Sequence, residues 1–331
     1  MPVPCLIVAT GTLWSGAARI PKALAHAGFD VALLAPKDSL AEKSRFVGRI
    51  GHLPPNASTA QWLFAFAAMV KAVAPRIIFP GDDMAFRLLQ LLVTEPPAGM
   101  QPALHASLAA LIRESLGDPE WTMTSVDKTL LPPAVASFGV EMAPAVAADL
   151  PAPPNTPMLA QKARDGTNMF YPVAAWKGEL LAGWAFENVV SDPAPNGPST
   201  VSRRYRDPIA REVARKLVGG FAMSGLLNFE FILNSETRHP VLIEVNRRIP
   251  PGMHSGAKIK VDLCAALLAA MEGRPSPTRA DLDDGESGYN VHFPQEWLRD
   301  PHSEWLRKYP VDVPWDEPEL FEALLALRHE K

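Results

Sequence analysis

The stretch NFEFILNSETRHPVLIEVNRR, residues 228–248, contains two short apolar runs joined by a polar segment. Each run carries one acid, Glu230 or Glu244, where a buried strand ordinarily has an aliphatic side chain. Side chains alternate between the two faces of a strand, so a hairpin centred near Thr237 places Glu230 directly opposite Glu244. The stretch therefore predicts an antiparallel hairpin with two acids on one face.

The same register places Asn228 opposite Asn246, beside the acids. Two carboxylates that are cross-strand neighbours repel each other and are costly to desolvate. A divalent cation between them allows both to stay ionised, and carboxylate, amide, phosphate and water oxygens together complete a Mg²⁺ site on a nucleotide. The alternative is an exposed hairpin with a solvated polar face, but a lone acid among the aliphatics of VLIEVN favours metal or substrate binding. Arg247 and Arg248 follow the acids and suit phosphate or carboxylate groups.

Composition places the chain among ordinary globular proteins. Its 331 residues are 47% hydrophobic and 21% charged, with a formal net charge of -4, which gives no electrostatic reason to expect a nucleic acid or a membrane surface as partner. Cys5 and Cys264 lie in separate apolar contexts, as is typical of reduced thiols packed in a core. We find no leader-like or membrane-spanning segment and expect a soluble, cytoplasmic protein.

The region 1–115 alternates between strand-like and helix-like segments. In chain order these are CLIVA, GAARIPKALAHAG, DVALLAP, TAQWLFAFAAMVKAVAP and RIIFP. This order predicts an α/β domain with a Rossmann-like, doubly wound parallel sheet. The loop ATGTLWSG lacks the G-x-G-x-x-G pattern, so we do not predict a dinucleotide here, and the same absence argues against an NAD-dependent oxidoreductase.

Asp82 and Asp83 follow the run RIIFP, at the carboxyl end of a predicted parallel strand. Open α/β sheets usually bind their ligands at that edge. The two acids also precede the apolar segment MAFRLLQLL, where an acid commonly caps the first turn of a helix. The sequence leaves open whether these acids contact a substrate or cap the helix.

Four units follow from changes of pattern along the chain. They are 1–115, the parallel domain; 116–150, a connecting helix and strand; 151–275, an α+β domain; and 276–331, a tail packed on the body. The proline-rich AADLPAPPNTP marks a boundary, and PMLAQKA, FYPVAAW and ELLAGWAFENVV predict strands of an antiparallel sheet. The tail is rich in Trp, Pro and acids, and no motif in it indicates chemistry.

The hairpin resembles the metal-binding hairpin of the ATP-grasp superfamily, and its sequence is most similar to the type found in the large subunit of carbamoyl-phosphate synthase. The resemblance implies that Glu230, Glu244 and Asn246 are metal ligands, and that Arg248 is a catalytic, phosphate-contacting residue. The segment SVDKTLLPPAVASFGVEMAP is similar to the segment that leads into the nucleotide-binding part of the family's proteins. This similarity implies that Lys128 is the first phosphate-binding lysine. The resemblance extends over most of residues 1–275, with the parallel domain similar to a pre-ATP-grasp domain.

One departure from the family lies between Gly139 and Gly166. The family has there a small subdomain with a V-K-P strand and a glycine-rich loop that closes over the phosphates, but this chain has a short proline-rich segment without either motif. The lid subdomain is therefore expected to be reduced. In LAQKA, Lys162 stands where the family has an acid near the adenine, and it either replaces the missing lysine in nucleotide binding or is a surface residue.

The resemblance implies a ligase that uses ATP and Mg²⁺, with Mn²⁺ as an alternative metal, and that joins a small carboxylate to an amine or thiol through an acylphosphate. Substrate would approach from the side of Asp82, Asp83 and Arg247. A homodimer is common among such proteins. The shortened central segment supports a second hypothesis, a non-catalytic descendant that binds a nucleotide, a metabolite or a partner.

Overall fold

The computed structural model describes residues 1–13, 15–54, 56–143, 145–147, 159–161, 166–194 and 197–327, with only the backbone of 145–147 and 159–161. The predicted α/β class is confirmed, because a parallel sheet is followed by a larger antiparallel sheet. Lys162 lies outside the described residues. None of the described helices combines the length and hydropathy that crossing a bilayer requires.

The N-terminal sheet has four parallel strands in the order β3-β2-β1-β4. They are β1 (Val3–Val8), β2 (Phe29–Pro36), β3 (Arg49–Leu53) and β4 (Ile77–Pro80). β1, β2 and β4 are apolar runs covered on both faces, which is what parallel strands between helical layers require. The edge strand β3 has a mostly exposed burial pattern, and the apolar periodicity gave no sign of it.

The helices of this domain are α1 (Ser15–Ala27), α2 (Thr59–Val73), α3 (Asp83–Thr94) and α4 (Pro102–Leu116). α2 begins at a capping box, in which Ser58 and Gln61 bond reciprocally to each other's backbone N–H groups. One face of the sheet packs on α2, α3 and α4. The other packs on α1 and shares a core with the rest of the chain, including Trp184 and Leu226.

Two short helices, α5 (Pro119–Val126) and α6 (Leu131–Ser137), lead out of this domain. α6 is followed by Gly139, whose φ of +66° is the left-handed conformation that commonly ends a helix. The strands β5 (Ala145–Ala147) and β6 (Leu159–Gln161) then pair with each other in a two-stranded sheet, and among the described residues they have no other strand partner. The expectation that LAQKA joins the main antiparallel sheet was therefore wrong: its strand pairs with the segment after α6.

The main sheet has seven antiparallel strands in the order β12-β11-β7-β9-β10-β13, with β8 also paired to β7. They are β7 (Gly166–Trp176), β8 (Glu179–Gly183), β9 (Ala185–Ser191), β10 (Ser199–Tyr205), β11 (Gly225–Asn234), β12 (Pro240–Asn246) and β13 (Ser287–Val291). One face packs on α6 and on the amphipathic helix α7 (Pro208–Gly220) around Phe229 and Phe231. On the opposite face, Ala174 and Leu226 join the core shared with the parallel domain, and the acids of the hairpin lie beside them.

The hairpin of β11 and β12 has the predicted register. Glu230 pairs with Glu244 and Asn228 with Asn246, and a β-bulge follows directly after Glu230. The turn forms where it does because the Asn234 side chain accepts hydrogen bonds from the backbone N–H groups of the next turn residues, at 3.0 and 2.8 Å.

The tail enters the main sheet and also covers the first helix. After α8 (Leu263–Met271), the chain forms β13 at the sheet edge and then α9 (Gln295–Arg299), α10 (Glu304–Lys308) and α11 (Pro318–Ala326). Phe293, Leu320 and Leu324 pack there against Ala18 of α1. The tail thereby becomes one wall of the cleft between the two sheets. Trp315 is 77% exposed, and its ring contacts that of Phe321 at a centroid distance of 5.5 Å.

Candidate active site

The two acids of the hairpin are joined by an amide. The Asn246 side chain donates from Nδ2 to Glu230 Oε1 at 2.7 Å and to Glu244 Oε1 at 3.2 Å. Asn228 Nδ2 lies 3.5 Å from the same Glu230 oxygen. The strand register thus brings the predicted metal ligands together, with both carboxylates turned towards one point.

Electrostatics at this point favour a cation. Burial raises the pKa of Glu230 to about 7, and the charge of Glu244 adds to that shift. Arg248 and Lys128 act in the opposite direction but do not cancel it. An acid whose ionisation is this unfavourable near neutral pH gains from a divalent cation beside it.

The predicted ligand set fits such a cation by its chemistry. Two carboxylates and an amide are hard oxygen donors of the kind that Mg²⁺ binds together with phosphate and water oxygens. Across the described ranges, no group of three or more His, Cys, Asp and Glu side chains gathers as a metal site. A cation held here would therefore depend on Asn246 and on ligand oxygens for the rest of its coordination.

Lys128 lies at the edge of the acids. Its Nζ is 3.1 Å from Glu244 Oε2, on a side chain that is about half exposed. The turn that carries it is held by Asp127, whose carboxylate accepts from Thr129 N at 2.7 Å and from Leu130 N at 3.3 Å. The structure therefore brings the predicted phosphate-binding lysine to the predicted metal ligands.

Arg248 reaches the same place from the end of β12. Its Nε donates to Asp83 Oδ2 at 2.8 Å, across the junction of the two sheets. Asp82 has a different role: it is the N-cap of α3, accepting from Ala85 N, and it also holds the loop at Thr10. Of the two alternatives for these acids, the capping role applies to Asp82, whereas Asp83 faces the site.

Arg247 is turned away from the acids. Side chains alternate along β12, so its guanidinium lies on the opposite face, where it is buried, donates to the Leu116 carbonyl and lies over the Phe86 ring. Burial lowers its pKa to about 9. The structure does not bring Arg247 to the substrate side, which corrects the grouping of both arginines with the site.

Two cavities flank the acids. The smaller, of about 230 Å³, is lined by Lys128, Glu244, Asn246, Asp83 and Arg248 among others. The larger, of about 390 Å³, is lined by Asn228, Glu230 and Arg248 on the hairpin side, and by residues of α1 and of the tail on the other. Arg248 and the acids therefore separate two compartments that both reach the proposed metal position.

Sequence reasoning missed the far wall of the larger cavity. Asp312 there accepts from Phe293 N at 2.6 Å and from His254 Nε2 at 2.9 Å, and the guanidinium of the buried Arg19 lies 3.9 Å from the Asp312 oxygen that contacts His254. His292 lines the same wall and bonds to Ser202. These residues come from four distant segments without a shared motif, so no local pattern could have revealed them.

Several solved structures have a similar architecture. Pyruvate carboxylase from Rhizobium etli is similar over 87% of this chain and 30% of its own, at 13% identity and a TM-score of 0.58. Carboxyaminoimidazole ribonucleotide synthase from Aspergillus clavatus, solved with ATP, is similar over 86% and 80%, at 14% identity and 0.58. Biotin carboxylase from Campylobacter jejuni is similar over 86% and 74%, at 12% identity and 0.57.

The chain has the ATP-grasp fold. The resemblance that began at the hairpin is thereby confirmed for the architecture as a whole. No protein-family model matches the sequence, and a search of curated proteins finds no relative. The chain spans less than a third of the length of the pyruvate carboxylase, and at these identities the ATP-grasp likeness concerns the fold alone.

Proposed function

We propose that this ATP-grasp protein is a Mg²⁺- and ATP-dependent ligase that activates a small carboxylate as an acylphosphate and transfers the acyl group to an amine or thiol. The observation that carries the proposal is the convergence of Glu230, Glu244 and Asn246 on one point, with Lys128 and Arg248 at its edges. The similar solved structures are ATP-dependent enzymes of ATP-grasp type, which supports this general class. The cytoplasm remains the predicted location.

The acids would hold the metal through their carboxylate oxygens once Glu244 Oε2 is released from its ion pair with Lys128, and Asn246 would contribute its amide oxygen after a change of side-chain orientation. Bound Mg²⁺, or Mn²⁺, would neutralise the charge on the nucleotide phosphates. Lys128 would leave Glu244 for a phosphate oxygen, since a cation beside Glu244 removes the reason for their ion pair. The smaller cavity, where Lys128 and Glu244 lie together, is the place for the phosphates.

Arg248 is placed to act during transfer. It lines both cavities, and its guanidinium is held in position by Asp83. A carboxylate substrate entering from the larger cavity would meet the phosphates beside this cation, which stabilises the negative charge that builds up as the phosphoryl group moves.

A second candidate function is binding of Mg·ATP without turnover. The observation that favours it is in the sequence: the segment between Gly139 and Gly166 is short and proline-rich, and it lacks the V-K-P strand and the glycine-rich loop. An acylphosphate needs protection from water, and a closing loop usually provides it. The two candidates make the same prediction for nucleotide binding and differ in product formation.

Titration calorimetry tests the proposal. Wild-type protein should bind ATP in the presence of Mg²⁺, and Glu244→Ala should weaken that binding by about tenfold or more, because a lost charged ligand costs at least about 1.4 kcal/mol. Glu236→Ala, in the exposed turn of the same hairpin, is the matched control and should bind as wild type does.

Absence of nucleotide binding in the wild type would refute both candidates. ADP release on addition of one member of a panel of small carboxylates and amines would establish the ligase. Metal-dependent binding with no ADP release across the panel would favour the non-catalytic protein.

A further inference from the structure

The two acids of the hairpin continue into a pair of aromatic rings along one face of the main sheet. Glu230 is paired with Glu244 on β12 and with Phe170 on β7, and Phe170 is paired in turn with Phe186 on β9. Residues directly opposite each other on antiparallel strands point to the same face. The four side chains therefore form one row across four neighbouring strands, with the acids at one end and the rings at the other.

Phe170 and Phe186 together form an aromatic floor of the larger cavity. Their rings stack with centroids 5.1 Å apart and an interplanar angle of 22°, and both line the cavity. Each is only partly buried, although β7 and β9 lie in the middle of the sheet. Large apolar rings that the protein leaves partly uncovered in a central position are a surface that an apolar ligand group can cover.

The tail adds a further aromatic side chain to this cavity. Phe293 lines it and stacks on Phe321 of α11 at 5.4 Å and 10°, while Pro250 and Pro251 contribute more apolar surface. The volume of about 390 Å³ is that of a site for a small organic molecule. The walls therefore favour a compact, flat apolar group.

The charges of the cavity determine where the polar end of such a ligand lies. Arg19, on the tail wall, is buried and compensated by the equally buried Asp312. Arg248, beside the hairpin acids, pairs with Asp83, whose side chain is 62% exposed, and an ion pair so open to water is weak. A carboxylate that binds at Arg248 therefore competes with less than one that binds at Arg19, and the acid end of the row is its favoured position.

The spacing of the row limits the length of the ligand. Neighbouring strands lie about 4.8 Å apart, so the backbone at Phe170 is one such spacing from Glu230 and the backbone at Phe186 is two. A ring attached to a carboxylate through a short linker spans this distance. A long chain between the two groups would carry the ring past the aromatic floor.

We propose that the carboxylate substrate is an aromatic acid, whose carboxylate lies at Arg248 and whose ring lies on Phe170 and Phe186. As the assignment of a substrate, this rests on the proposed function. As a binding site for aromatic acids, it depends on the row, the cavity and its charges, and on no nucleotide.

Titration calorimetry with three acids of equal charge tests the preference for a ring. Phenylacetate, cyclohexylacetate and acetate are each titrated at neutral pH into protein saturated with Mg²⁺ and ADP. Phenylacetate should bind about tenfold more tightly than acetate or better, because its ring leaves water. It should bind about threefold more tightly than cyclohexylacetate, because only a flat ring stacks on the floor. Absence of phenylacetate binding, equal affinity for acetate, or affinity for cyclohexylacetate that matches or exceeds that for phenylacetate would overturn the proposal.

Two leucine variants separate recognition of the ring from general packing. Phe170→Leu keeps an apolar side chain but removes one ring of the floor, so the ratio of phenylacetate to cyclohexylacetate affinity should fall to about one while acetate binds as in wild type. Phe138→Leu is the matched control: its ring is also partly buried and lies 5.1 Å from that of Phe221, but on the α7 side of the sheet. It should keep the wild-type ratio. A ratio that survives in Phe170→Leu, or is lost in both variants, would show that Phe170 does not recognise the ring.

Repeating the titrations without nucleotide distinguishes failure of this inference from failure of the proposed function. If Mg·ATP binds but phenylacetate shows no preference over acetate, the nucleotide site stands and the aromatic substrate is refuted. If no nucleotide binds, the ligase is refuted, and the nucleotide-free titration decides the inference. Tighter binding of phenylacetate than of acetate would then support the site for aromatic acids, and equal or absent binding would refute it as well.

Discussion

Two carboxylates line the larger cavity, Glu230 on the hairpin and Asp312 on the tail, and their surroundings shift their pKa values in opposite directions. On the hairpin, Glu230 faces Glu244, and burial together with that second charge raises the Glu230 pKa to about 7. On the tail, Asp312 is surrounded by a backbone N–H, by His254 and by Arg19, which hold its pKa well below the usual range despite burial. The positive charge around Glu230 is too small to keep its pKa at the ordinary value, whereas the positive charge around Asp312 outweighs the effect of burial.

This difference separates the part of the site that awaits a ligand from the part that supports the fold. A carboxylate already paired with a cation and hydrogen-bonded on both oxygens gains little from a further partner. Two carboxylates turned towards each other gain a great deal from a metal ion. We therefore expect mutations on the tail wall to lower the free energy of unfolding. Mutations of the hairpin acids should change it mainly in the pH range in which Glu230 titrates.

The largest effect is expected from Asp312→Asn. The substitution keeps the shape but removes the charge that compensates the buried Arg19, so the free energy of unfolding should fall by about 4 kcal/mol in urea denaturation. Asp316→Asn, in a half-exposed pair with Lys22, is the control and should cost less than about 1 kcal/mol. Similar losses for both variants would show that the tail cluster is not the closed ion pair described above.

The next effect is a dependence of stability on pH that comes from Glu230. Its folded pKa of about 7 lies above the ordinary value of 4.5, so between these values the folded state binds the proton that the unfolded state has released. Stability should therefore fall by about 3 kcal/mol as pH rises from about 4.5 to 7, and it should level off above that.

Glu230→Gln should remove that dependence, becoming more stable than wild type at pH above 7 and matching it near 4.5. Urea denaturation across the pH range measures the difference, and Glu236→Gln in the exposed turn should run parallel to wild type. A pH dependence that survives in Glu230→Gln would assign it to another group.

The smallest effect on stability is expected from Lys128→Met. The lysine is about half exposed, so loss of its pair with Glu244 should change the free energy of unfolding by less than about 1 kcal/mol. The same substitution should weaken Mg·ATP binding about tenfold, if Lys128 contacts phosphate. Lys177→Met, which breaks a similar exposed pair with Glu114, should match it in stability and leave nucleotide binding unchanged.

The hairpin shows how far sequence reasoning reaches in this molecule. The pairing of Glu230 with Glu244 could be predicted because a two-residue alternation and one central turn determine it locally. The same alternation also separates Arg247 from Arg248, and grouping the two arginines together neglected it. The two-stranded sheet of β5 and β6 was not predictable, since short strands outside the main sheet carry no periodic signal.

By itself, the sequence determined the order of the buried strands β1, β2 and β4 and of the helices between them, the register of the hairpin and the identity of the paired acids. These features depend on residues close in sequence, where helical and strand periods constrain each side chain. Only the tertiary structure decided that α1 and the tail meet, so that Arg19 bonds to Asp312 across 293 positions of the chain. Long-range packing selects such neighbours by shape and charge after the elements have formed, and it leaves no spacing in the sequence from which they could be found.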